Sequence, residues 1–200
     1  MPRFEPTDLS EVPLDELVEL LGRELERDVR QVLTPIAHEH LYVLALCIGN
    51  RATSVYVTAN TEEHLLTTVS QHGDPSDPFW RWDCPGDWAI IEDRSLKDTN
   101  AFLSDLERSH EAWLWGFDRE ERFARSEETW PVLRSRLVDA FHEALRRVGD
   151  LDLLGMADQD SCVVCLLALD DPEFTRWSAQ QLSRPSAFDR EFGAAPGGSG

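Results

Sequence analysis

Leu41 to Ile48, LYVLALCI, is an unbroken apolar run of strand length, far short of the roughly 18 apolar residues that a membrane span requires. Such a run suits a strand buried on both faces. Gly49-Asn50 supplies a turn, and Val55, Val57 and Ala59 then alternate with Ser54, Tyr56 and Thr58. This pattern predicts a hairpin whose return strand sets one apolar face on a core and leaves the other for polar contacts. Asn60 follows as a helix N-cap, and Glu63 three residues on completes a capping box.

Around this hairpin the other periodicities fall into place. Leu14, Leu17, Val18, Leu21, Leu25, Val29 and Val32 recur at helical spacing, with Ser10 or Asp8 as entry cap, Pro13 in the first turn and Pro35 as the stop. A helix over 61–71 leads into HGDPSDPFWRWDCPGDW, a proline- and tryptophan-rich loop. A short strand, Trp88 to Ile91, comes next. Asp98 or Thr99 caps a helix carrying Phe102, Leu103, Leu106, His110, Trp113 and Leu114 on one stripe. Residues 116–130 read as a charged connector, after which Pro131 opens a helix ended by Gly149. SCVVCLLAL, 161–169, is the second continuous strand, and Asp171-Pro172-Glu173 starts a helix to Leu182.

The order of elements predicts an α+β domain over residues 1–185: a mainly antiparallel sheet of four or more strands, a central hairpin and about five helices. Residues 186–200 read as a flexible tail rich in Gly, Pro and Ala. A chain of 200 residues suffices for one core. The N-terminus lacks the apolar stretch of a secretory signal, and Cys47, Cys84, Cys162 and Cys165 sit in or beside apolar segments as reduced cysteines do. A cytoplasmic location is the expectation.

The formal net charge is -19, from 38 acids against 19 Lys and Arg. Such a charge repels phosphate backbones and anionic lipid, so neither nucleic acid nor membrane is expected as partner, and a basic protein is. No GxSxG, P-loop, GxGxxG or HExxH occurs, so no catalytic residue is assigned. Cys162 and Cys165 form a CxxC, but side chains three apart on a strand point to opposite faces, which predicts core packing. His38-Glu39-His40, with Glu63 or His64, is the nearest approach to a metal site, yet lacks a full ligand set. Neither metal nor cofactor is expected.

Two groups remain as candidates. Trp80, Trp82, Asp83, Asp87 and Trp88 combine large rings with acids on one loop, the composition of a partner-binding hot spot; alternatively these rings plug one end of the core. Asn60, Thr61, Glu62 and Glu63 form a polar cluster at a strand end and helix start.

LYVLALCIG, the strand ending in ANTEEHL, RWDCPGDWAI and the late strand before DDPEF together resemble the bacterial domain-of-unknown-function family 4303, over roughly residues 15 to 185. The resemblance carries no enzymatic activity. It implies an association with toxin immunity, hence a non-enzymatic acidic protein that neutralises a basic toxin domain. A small hydrolase or metal-dependent enzyme near His38, His40 and Asn60 to Glu63 is one alternative. A module self-associating through its sheet edge is another.

Overall fold

Strand β1 (Leu41–Ile48) occupies an inner position of a four-stranded sheet, and all of its residues are buried, as its uniformly apolar sequence demands. The computed structural model describes residues 12, 14–72, 81–82, 87–92, 95–150, 161–168 and 170–193. Expectations for Asp8, Ser10, Pro13, Trp80, Asp83, Cys84 and the chain beyond 193 lie outside the described residues.

β2 (Val55–Thr61) returns antiparallel along β1, pairing Ile48 with Val55, so the predicted hairpin forms. β3 (Ile90–Glu92) is antiparallel to β2, while β4 (Val163–Ala168) is parallel to β1, giving the order β3-β2-β1-β4. The protein is thus α+β, and among the described strands β1–β2 and β2–β3 pair antiparallel as the sequence suggested, while the β1–β4 pair is parallel and makes the sheet mixed. The chain reaches β4 only after two long helices, and a connection of that length permits a parallel pairing.

Among the described residues six α-helices surround the sheet: α1 (Leu14–Leu33), α2 (Glu62–His72), α3 (Lys97–Leu114), α4 (Arg119–Asp150), α5 (Pro172–Leu182) and α6 (Pro185–Phe192). Two differ from expectation. α4 runs unbroken through Pro131, absorbing much of the supposed connector. Pro131 lies on the exposed side of the helix, where water can serve the carbonyl left without its usual donor. α6 occupies the start of the supposed tail, because Ala187, Phe188 and Phe192 give it an apolar side that packs against the sheet.

Period-two alternation divides the strands between two cores. Leu44, Leu46, Ile48, Val55, Val57, Cys162 and Leu166 meet α1, α3 and α4; Val43, Ala45, Cys47, Val163, Cys165 and Leu167 form the second core beneath α2, α5 and α6. The two CxxC sulfurs therefore belong to different cores, both are free thiols, and burial pushes Cys162 up to about 12. A register shift between Leu41 and Val43 breaks the alternation and puts Tyr42 in the second core.

Side chains also cap the outer edge of β4 and the stretch of β2 near its contact with β3. On β4, the N–H groups of Val164, Leu166 and Ala168 donate to the hydroxyls of Ser183, Ser178 and Thr175. On β2, Val55 and Val57 donate to Asn100 and Ser95. An added strand on β4 would have to compete for these N–H groups.

The start of α3 is capped from a distance. Leu96 stands in the left-handed region with φ 56, and its N–H donates to Asp28 of α1 at 2.8 Å. Glu24 accepts from Asp98 and Thr99 at 3.1 and 2.8 Å. Asp98 and Thr99 are thus receivers of a cap, correcting their expected role. Negative charge at this end of a helix is favoured by the helix dipole.

Candidate functional site

The polar cluster predicted at the end of β2 is built around Tyr42. Its hydroxyl donates to the Arg81 carbonyl at 3.1 Å and accepts from Asn60 Nδ2 at 3.0 Å. Asn60 Oδ1 in turn accepts from the N–H groups of Thr61 and Ala89. Asn60 is therefore an interior bracket between β1, β2 and the chain entering β3, and it is buried. The helix cap falls one residue later, where Thr61 Oγ1 accepts from His64 N at 3.1 Å. Burial raises the Tyr42 phenol well above its usual range, which suits a neutral hydroxyl holding both bonds.

Arg81 stacks on the Tyr42 ring at 4.0 Å and forks between two carboxylates. Glu62 accepts at 2.6 and 3.0 Å, and Glu191 of α6 at 2.6 and 2.9 Å. Burial works against this charge, but the two carboxylates outweigh it and raise the guanidinium pKa above its ordinary value. One cation thus ties α2 to α6.

Glu63 turns the other way. Instead of closing a capping box on Asn60, it accepts from His40 N at 2.9 Å and meets His40 Nδ1 at 2.5 Å. Their hydrogen bond raises the His40 pKa and lowers that of Glu63. Glu39 is held by the Thr61 hydroxyl at 2.5 Å, while His38 stays exposed and 3.8 Å from Glu39. Among the described residues no three His, Cys, Asp or Glu are grouped to hold a metal.

The tryptophan loop divides. Trp88 is 4% exposed, and Trp82 is half-buried against Phe192, with ring centroids 4.7 Å apart. Trp82 also meets the edges of Tyr42 and Trp88 at 6.2 and 6.5 Å. These two rings close the second core under α6. Asp87 is exposed, and its carbonyl bonds His64 Nε2 at 2.9 Å.

A second surface was not anticipated. The turn from α3 into α4 exposes Trp115 at 70%, the first turns of α4 expose Phe123 at 69%, and both line a groove of about 850 Å³ with Arg51, Glu111, Arg119, Glu120, Arg122 and Trp130. Arg122 lies 3.8 Å over the Trp115 ring and Arg51 lies 4.7 Å over Trp130. Beneath this overhang His110 packs against Trp113 and Trp130. The Thr129 hydroxyl donates to the Arg125 carbonyl at 2.7 Å, so its bond with His110 Nε2 at 3.1 Å has the imidazole as donor. Burial, with Arg51 nearby, lowers the His110 pKa to about 4. The sequence signal for this surface was the presence of Trp115, Phe117 and Phe123 in a stretch too charged to be core.

The family model described as Domain of unknown function (DUF4303) matches residues 21–183. The chain belongs to this family. In comparisons with curated proteins and with solved structures, nothing matches. The family segment holds Tyr42, the 60–63 cluster, Arg81 and the whole overhang, while α6 with Glu191 lies past its end. No helix among the described residues is long and apolar enough to cross a membrane.

Proposed function

We propose that this protein is a non-enzymatic binding protein acting in the cytoplasm, whose acidic surface covers a basic protein partner of the toxin-domain type. The observation that supports it best is how the polar cluster is occupied. Glu62 holds Arg81, Glu63 holds His40, Glu39 holds Thr61 and the Asn60 amide is bonded on both sides. Glu62, Glu39 and Asn60 are thereby engaged in holding the fold, while His40 and Glu63 pair at the surface. Meanwhile the chain carries a net charge of -19, which draws an oppositely charged partner and speeds encounter.

The test is to co-express the chain with the product of the gene beside its own and measure association against salt. The expected complex forms with a basic protein, and its association rate falls about tenfold or more from low to physiological ionic strength. Association indifferent to salt, or no basic partner, overturns the reading.

A further inference from the structure

We infer that the groove between the α3–α4 turn and the first turns of α4 is a binding site for a small aromatic carboxylate, its ring on Phe123 and its charge on Arg119 and Arg122. This goes beyond the reading above and does not depend on it, since the ligand is a small molecule and not the protein partner. The groove holds about 850 Å³, within the roughly 300–1,000 Å³ of small-molecule sites, and Trp115, Phe123 and Trp130 supply the aromatic lining such sites carry. Of these rings Phe123 is the open one. Trp115 carries Arg122 on its face at 3.8 Å and Trp130 carries Arg51 at 4.7 Å, whereas Phe123 is 69% exposed and among the described residues meets neither a ring nor a guanidinium. A planar ligand ring can stack there.

Charge sets the other end. Arg51 is held by Glu107 and Glu111 at 3.6 and 3.5 Å. Arg119 and Arg122 have no carboxylate among the described residues. Arg122 is half-buried, fixed by its ring contact and by the Nη2 bond to the Phe117 carbonyl at 3.1 Å, and its Nε is buried without an acceptor. Part of its hydration is thus already removed with no counter-charge in return, and a carboxylate supplies that charge. In the lining three arginines stand against two glutamates, and with Glu111 spent on Arg51 only Glu120 opposes the open pair. One positive charge is left over, which selects a monoanion over a cation and over a dianion. Size is limited as well. Glu121, Glu127 and Glu128 lie outside the lining on the same stretch of α4, and the chain's net charge is -19, so an acidic peptide or a nucleic acid leaving the groove meets like charge. One carboxylate joined to one planar ring satisfies ring, charge and size together.

The probe is indole-3-acetate, followed by NMR through the indole N–H of Trp115, which is identified by its loss in W115A. Indole-3-acetamide lacks the charge, acetate lacks the ring, and adenosine monophosphate carries a second charge. Indole-3-acetate is expected to shift the Trp115 signal and to bind at least about tenfold more tightly than each of the three. Arg119 is exposed and bonded to nothing among the described residues, so R119Q keeps the fold and should bring the acid close to the amide in affinity; R122Q should do the same. F123A should weaken acid and amide alike, by about fivefold. No Trp115 shift with indole-3-acetate at millimolar concentration, equal binding of the amide, tighter binding of adenosine monophosphate, or binding unaltered by R119Q and F123A overturns the site. The basic-partner reading is untouched by any of these outcomes, and its own failure leaves this site standing.

Discussion

The polar cluster around Tyr42 and the overhang around Trp115 combine the same ingredients, arginine on an aromatic ring with glutamates close by, to opposite effect. At Tyr42 the guanidinium is half-buried and each named carboxylate has a partner, so the cluster joins β1, β2, α2 and α6. At Trp115 the ring is exposed, and the groove beside it is lined by Arg119, Glu120 and Arg122 with no carboxylate holding either arginine among the described residues. A concentration of polar side chains thus marks a structural joint when its valences are filled.

His40 of the polar cluster and the buried His110 under the overhang titrate in opposite directions, and the buried histidines carry the largest effect expected. His110 beneath the overhang and His142, stacked on Trp177, are buried and held down at about 4, against an ordinary 6.5. The unfolded chain therefore binds more protons between these values, and the stability from each histidine is complete above pH 6.5 and lost as pH falls towards 4. Urea unfolding should show a loss of about 2 kcal/mol per histidine between pH 7 and pH 5, roughly 4 kcal/mol in all. His142→Gln should remove about half of that slope. His40 has a raised pKa, so its contribution is complete below pH 6.5 and fades as pH rises through the raised value; Glu63, with a lowered pKa, contributes above its ordinary value and loses this on acidification.

Removing the bracket comes next. Asn60→Ala takes from the Tyr42 hydroxyl the bond it accepts and leaves the N–H groups of Thr61 and Ala89 without their side-chain acceptor, a loss of about 3 kcal/mol in chemical denaturation. A loss nearer 1 kcal/mol would indicate an ordinary helix cap, and the contrast between the regions would weaken. Arg81→Ala should cost about 2 kcal/mol and raise hydrogen exchange in α6 first, since Glu191 loses its link to Glu62. The smallest effect belongs to the overhang: Trp115→Ala and Phe123→Ala should each change stability by less than about 0.5 kcal/mol. A larger loss would make these rings structural.

Much of the fold was legible because its signals are local. The bounds of α1, the β1–β2 hairpin and the Asp171 cap of α5 follow from periodicity and capping chemistry that the chain carries within a few residues. Pro131 misled because its effect on a helix depends on whether the carbonyl one turn back can reach water, which is a property of the packed surface. The candidate site was legible only as a list of residue types. Asn60, Thr61, Glu62 and Glu63 do gather, but their roles depend on Arg81 and Glu191, which stand 19 and 129 residues from Glu62.

The sequence by itself determined where apolar surface must go: a fully buried β1, a half-polar β2, and two cysteines that alternation sends to different cores. Those outcomes rest on the strand period, which is a property of the backbone. Only the tertiary structure decided that β4 lies parallel to β1, that Glu24 and Asp28 cap a helix far along the chain, and that Trp88 is core while Trp115 is surface. Each of these depends on which distant element arrives beside a given residue, and burial, bonding and charge are settled by that neighbour.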